Sequence, residues 1–116
     1  MRFLGINASP QDSLEKIARE REELDLRIEI LKDETQALTR ALDTQTTTEV
    51  FLFDERGKLF YRGAIDDQYS LGAARPKPRK NYLRDALDAM LQGERASVSV
   101  TEAPGCLITV LPQTGN

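Results

Sequence analysis

Residues 46–66 hold two apolar runs on either side of a short polar loop, and this restricts the chain to folds with an antiparallel hairpin near their centre. The first run is Val50-Phe51-Leu52-Phe53, the loop is Asp54-Glu55-Arg56-Gly57, and the second run is Lys58-Leu59-Phe60-Tyr61-Arg62-Gly63-Ala64-Ile65. Four consecutive apolar residues without alternation predict a strand covered on both faces, because a strand with one wet face places a polar residue at every second position. The first strand is therefore expected to be internal, between helices. Gly57 suits a type I turn closed by a left-handed residue, where the absence of a Cβ removes the steric cost. Lys58, Arg62 and Gly63 make the second run one that tolerates a place nearer the sheet edge.

At 116 residues the chain is expected to form one domain with a core that needs no disulfide or metal staple. Its net charge of -3 argues against nucleic acid as the default partner. No apolar run approaches the ~20 residues that span a bilayer. Met1-Arg2-Phe3-Leu4-Gly5 reaches Asn7 and Pro10 too early to form the apolar core of a signal peptide. The expected setting is the cytoplasm, with no membrane partner. Cys106 is the one cysteine and there is no histidine, which excludes an intramolecular disulfide, a Cys-x-x-Cys pair and a Cys/His zinc site within this sequence.

Taken in order, Arg2-Phe3-Leu4-Gly5-Ile6-Asn7-Ala8 reads as a strand. Ser9-Pro10-Gln11-Asp12 then reads as a helix entry, with Ser9 as N-cap, Pro10 at the first helical position and Asp12 bonding back. Leu14, Ile17, Ala18 and Leu24 are the expected buried stripe, and the charges from Glu15 to Glu23 the solvated face. Leu26-Arg27-Ile28-Glu29-Ile30-Leu31 alternates as a short extended segment does. Asp33-Glu34-Thr35-Gln36 has the form of a capping box, opening a helix with Ala37, Leu38, Ala41 and Leu42 inward. Hydroxyl-rich residues 44–48 end that helix and lead to the hairpin.

Residues 66–79 carry Gly72, Pro76 and Pro78 with no period and are expected to be a surface loop. Its basic end, Arg75-Pro76-Lys77-Pro78-Arg79-Lys80, suits a phosphate or an acidic partner, although a solvated loop is the simpler reading. Asp66-Asp67 supplies two oxygen-bearing side chains without the further ligands a hard cation needs. Asn81 then caps the clearest helix, with Leu83, Ala86, Leu87, Met90 and Leu91 along one face and Gly93 at its end. Beyond it come a Val98/Val100 alternation and Pro104-Gly105-Cys106-Leu107-Ile108, with the last few residues expected to fray.

The order strand, helix, short strand, helix, Thr-rich turn, hairpin and closing helix is the order that follows the catalytic motif in thioredoxin-like proteins. Phe3-Leu4-Gly5-Ile6-Asn7-Ala8, Ile30-Leu31-Lys32-Asp33, Thr47-Thr48-Glu49-Val50-Phe51-Leu52-Phe53-Asp54, Tyr61-Arg62-Gly63-Ala64-Ile65-Asp66-Asp67 and Tyr82-Leu83-Arg84-Asp85-Ala86-Leu87 resemble bacterial redoxin domains of the alkyl hydroperoxide reductase/thiol-specific antioxidant type. Gly105-Cys106 resembles a Gly-Cys that several such domains carry after their last helix. The resemblance implies an α/β, thioredoxin-like fold in truncated form, with a mixed sheet of about four strands, a β-hairpin and three main helices. Residues 1–108 would be the partial domain and 109–116 a C-terminal tail.

The family's chemistry depends on a thiolate at a helix start, commonly in Cys-x-x-Cys, where the helix dipole and free N–H groups lower its pKa. That unit lies upstream of the segment matched here. Where the family has a cis-proline facing the thiols, this chain has Thr48, and a non-proline cis bond costs about 2.5–4 kcal/mol, so a trans Thr47–Thr48 peptide is expected. The resemblance thus implies a thiol-dependent antioxidant oxidoreductase that, in this chain, has no catalytic residues, no cofactor and no metal, with Cys106 as the one candidate thiol. Three functions compete: an oxidoreductase domain without its catalytic half, a redox-inactive binding or assembly module whose open sheet edge takes a protein partner or a second copy, and an unrelated α/β protein that binds an anion. With the intervening strand absent, Phe3-Leu4-Gly5-Ile6 is expected to pair in parallel with Val50-Phe51-Leu52-Phe53, with Cys106 a small buried or half-buried apolar residue of ordinary reactivity.

Overall fold

A computed structural model of the chain describes residues 2–25, 27–70 and 73–111. The chain divides into two units, residues 1–44 with 108–116 and residues 45–107.

In the first unit, β1 (Leu4–Asn7) pairs in parallel with β2 (Glu29–Lys32), Leu4 opposite Glu29 and Asn7 opposite Lys32. Parallel strands need a crossover connection, and α1 (Leu14–Glu23) supplies it. The helix starts four residues later than the sequence predicts. Asn7 Oδ1 accepts the Ser9 N–H at 2.9 Å and Ser9 O accepts the Asp12 N–H at 3.3 Å, so Ser9 and Pro10 belong to a turn. Ser13 is the N-cap, its hydroxyl accepting the Lys16 N–H at 3.1 Å. Of the expected stripe, Ile17 is buried whereas Leu14 and Leu24 are exposed. The extended segment predicted over residues 26–31 appears as β2, with Leu26 outside the described residues.

The capping box also takes another form. Asp33 is the capping residue: its carboxylate accepts N–H groups of Leu38 at 3.3 Å and Thr39 at 2.7 Å, and the Thr39 hydroxyl at 2.6 Å. Gln36 does not reach back to it. It lies in the left-handed region at φ 59° before α2 (Ala37–Ala41), and its side chain is buried. Its Nε2 donates to Ala8 O and Thr109 O, both at 2.8 Å, and its Oε1 accepts the Leu111 N–H at 2.9 Å. Residues 109–111 are thereby tied to the unit; the rest of the tail expected to fray, residues 112–116, lies outside the described residues.

The second unit is built on the hairpin. β3 (Val50–Phe53) and β4 (Leu59–Gly63) pair antiparallel, with a bulge between Leu52 and Phe53. Gly57 takes φ 78° at the turn, and Asp54 Oδ1 accepts the N–H groups of Arg56 and Lys58, both at 2.9 Å. Leu52, Tyr61 and Ala86 form the buried cluster, with Val50, Phe60, Leu83, Leu87 and Met90 packed on it. α3 (Tyr82–Leu91) thus docks through the predicted face, except that Leu91 is exposed. Burying an apolar side chain contributes roughly 1.5–3 kcal/mol, and these contacts hold the helix to the hairpin. Leu52 is buried but Phe53 is 42% exposed, and β3 has β4 as its one described strand partner, so the internal strand between helices expected from the unbroken apolar run is not what the described residues form. Residues 66–79 are not wholly irregular: β5 (Tyr69–Ser70) and β6 (Ala73–Ala74) form a small antiparallel ladder.

The described residues form a mixed α/β fold with three helices, but among them the mixed sheet of about four strands expected from the sequence does not form. The described strands pair two by two, β1 with β2, β3 with β4 and β5 with β6, so β3 gains no parallel partner. β4 instead turns its outer edge to residues 99–101: the Arg62 N–H donates to Ser99 O at 3.0 Å and the Thr101 N–H to Arg62 O at 3.1 Å. No helix among the described residues is long and apolar enough to cross a membrane.

Candidate functional site

Both positions singled out from the sequence, Thr48 and Cys106, fall in one corner of the second unit. Residues 46–48 pair with residues 104–107: Thr46 bridges Leu107 in antiparallel sense, the Thr47 N–H donates to Cys106 O at 2.9 Å, and the Thr48 hydroxyl donates to Pro104 O. The backbone is trans here, as no described peptide bond is cis. Gly105 sits at φ 141°, and a Cβ on it would stand 2.9 Å from the Thr48 hydroxyl oxygen. Glycine is required by both the backbone angle and the space. Cys106 is exposed, so the apolar residue expected there is not buried.

The corner is held from below by an ion pair. Arg62 donates to Glu49 Oε2 from Nε at 3.0 Å and Nη2 at 2.7 Å, while Glu49 Oε1 accepts the Gln45 N–H at 3.0 Å. The Arg62 guanidinium lies 4.8 Å from the centroid of the Phe51 ring, within range of a favourable cation–π contact. The Thr-rich backbone thus has Glu49, held by Arg62, at its end and the Gly105-Cys106 segment alongside it. Chemically, the corner presents an exposed thiol beside hydroxyls and backbone amides.

A second group centres on Thr101. Its hydroxyl is 2.6 Å from the Tyr61 hydroxyl and accepts the Ala64 N–H at 2.8 Å, while Tyr61 donates to Ala64 O at 2.5 Å. Gly63, at φ 138°, lets Thr101 approach, since a Cβ there would meet the Thr101 hydroxyl, carbonyl and amide. Burial pushes the Tyr61 phenol above its ordinary range, and the Thr101 hydroxyl bond opposes part of that rise. Sequence reasoning missed Thr101 because a single threonine after the Val98/Val100 alternation carries no periodic signal.

Asp66 and Asp67 fasten the 66–80 segment. Asp66 Oδ1 accepts the Gln68 N–H at 2.9 Å, and Asp67 Oδ1 accepts those of Arg79 at 2.7 Å and Lys80 at 2.9 Å. The Lys80 and Arg79 amide bonds, opposed in part by burial and aided by the Arg75 charge, hold the Asp67 carboxyl below its ordinary range. No group of three or more potential metal-ligating side chains occurs among the described residues. A cavity of about 480 Å³ opens here, lined by Arg75, Arg79 and Lys80 but equally by Asp66, Asp67 and Glu102, so the basic run does not make a surface of one sign.

Among known proteins, no family model and no curated protein matches the chain. Solved structures similar to the chain include two proteins of bacterial origin. One is an uncharacterized conserved protein from Geobacillus kaustophilus, 32% identical, with a TM-score of 0.76 over 97% of this chain and 61% of that one. The other is a hypothetical protein from Sinorhizobium meliloti, 27% identical, with a TM-score of 0.74 over 98% of this chain and 63% of that one. The chain therefore spans about three fifths of the length of these structures.

Proposed function

We propose that this chain is the portion of a bacterial thioredoxin-like redoxin domain that follows the catalytic strand–helix unit, acting in the cytoplasm and without thiol–disulfide turnover of its own. The reading is supported most by the corner where Thr48, at the position of the family's cis-proline, lies against Gly105-Cys106. Further support comes from the parallel β1–α1–β2 unit followed by a hairpin and a closing helix. A two-thiol cycle needs a second sulfur to resolve the oxidised first one, and this sequence contains Cys106 alone. Dithiothreitol-driven insulin reduction by the chain is expected to match that of Cys106→Ala; turnover above the variant overturns the proposal.

The second reading, a redox-inactive binding or assembly module, is favoured by the first unit, where Leu4, Ile6 and Leu31 on the β1–β2 ladder are all more than two-fifths exposed. Apolar side chains so grouped mark a surface suited to a protein partner.

A further inference from the structure

The cavity beside Asp66 and Asp67, about 480 Å³ in volume, is of the size that small-molecule sites occupy, roughly 300–1,000 Å³. Its surroundings are fixed through backbone groups. Asp67 accepts the Arg79 and Lys80 N–H groups and donates its own N–H to Lys80 O at 3.1 Å, while the Leu83 N–H donates to Ile65 O at 3.0 Å. The 66–80 segment is thus closed on the start of α3 without using the Arg79 or Lys80 side chains. Thr101, which also lines the cavity, is held by the Tyr61 hydroxyl and the Ala64 N–H. The charges around the cavity cancel only in part. Asp67 Oδ2 lies 3.7 Å from Arg75 Nε, and these two neutralise each other. That leaves Arg79 and Lys80 against Asp66 and Glu102, two charges of each sign. None of the four forms an ion pair among the described residues.

We propose that this cavity binds a small zwitterion of the α-amino acid class, its carboxylate toward Arg79 and Lys80 and its ammonium toward Glu102. The two signs come from different segments and share one cavity without pairing across it, so a ligand that carries both satisfies both. An anion alone leaves Glu102 unmet and adds repulsion, and a cation alone does the same to Arg79 and Lys80; the selection lies in these penalties. The start of α3 adds to the cationic side. Asn81 gives the helix no side-chain cap, and free N–H groups at a helix N-terminus favour a carboxylate. Tyr69 and Tyr82 line the same cavity and suit an aromatic side chain on the ligand. Each exposed charge is worth little by itself in water, but a binding site fixed in advance spares the cost of ordering it.

The proposal does not rest on the redoxin reading and is tested by following the backbone amide resonances of the full chain during titration into the millimolar range. The probes are L-phenylalanine, 3-phenylpropionate, which is the same molecule without its ammonium, and phenethylamine, which lacks the carboxylate. L-Phenylalanine is expected to shift the amides of Tyr69, Tyr82 and Thr101, and each single-charge probe to bind at least about tenfold more weakly. Glu102→Gln should bring L-phenylalanine down to the level of 3-phenylpropionate while weakening 3-phenylpropionate not at all. Arg79→Gln with Lys80→Gln should bring it down to the level of phenethylamine. Asp67 grips the amides of residues 79 and 80 rather than their side chains, so these variants retain the segment; should one fail to fold, the three-probe comparison on the unaltered chain still decides. No shift with L-phenylalanine, a single-charge probe that binds as tightly, or variants that change all three probes alike overturns the proposal.

Discussion

The Tyr61 hydroxyl holds two structural segments with one atom, bonding both Ala64 O and the Thr101 hydroxyl. Tyr61 is fully buried, so no water replaces the phenol when it is removed. Tyr61→Phe is therefore expected to cost about 1–3 kcal/mol, the penalty for leaving buried polar groups unpaired, read as a lower urea midpoint with an unchanged slope. An unchanged midpoint would show that Thr101 finds another partner. Asp33 acts at the same scale but through charge. Burial alone would raise its carboxyl, yet the Thr39 hydroxyl and amide bonds, the Leu38 amide and the Arg40 charge together hold it below the ordinary 3.8. Its folded-state value is below its unfolded value, so its contribution is fully present above about pH 4 and is lost as pH falls through the lowered value. Asp12, lowered by the Asn7 and Lys16 bonds, and Asp67 act in the same direction. A pH series of urea melts should show stability level from neutral pH to about pH 4 and falling below it, with a shallower fall in Asp33→Asn; an identical fall would remove Asp33 from the account.

Gln36 shows what a single side chain does for an element. Its left-handed backbone costs of order 1–3 kcal/mol, and the three bonds it makes hold residues 109–111 to the α2 entry. Arg40 adds a bond to Leu111 O at 2.6 Å. Gln36→Ala keeps the strained angle and loses the bonds, whereas Gln36→Gly loses the bonds and relieves the strain. The alanine variant should be the less stable of the two by about 1 kcal/mol, and both should accelerate amide exchange at Leu111; protection at Leu111 retained in both would refute the clamp. This is also where sequence and structure part. The hairpin, its Gly57 turn, the docked face of α3 and Gly93 were legible because they rest on local periodicity and on backbone angles that glycine favours. Ser13 rather than Ser9 as the cap was not, because Asn7 captures the Ser9 amide first, and Asp33-x-x-Gln36 mimics a capping box while serving a residue 73 positions away. In the candidate site, Thr48 and Cys106 were each singled out by a resemblance, but their meeting was not readable in the sequence, since it depends on a bridge between residues 46 and 107.

At the scale of the molecule, the pairing of the described strands two by two rather than in one central sheet is the main departure from expectation. A continuous four-stranded sheet required β1 to pair in parallel with β3, and the observed ladders give each strand one partner within its own unit. Both units are closed by non-local bonds, Gln36 to residues 109 and 111 in one, Thr46–Thr48 to residues 104–107 in the other. The first unit is discontinuous in sequence, interrupted at Thr44 and resumed at Ile108. Synthesis runs from the amino end, so when Leu107 leaves the ribosome the second unit possesses every residue it needs, while the first, begun earlier, still awaits the segment that Gln36 grips. The order of translation and the order of completion are reversed: the unit made first is the one that finishes last.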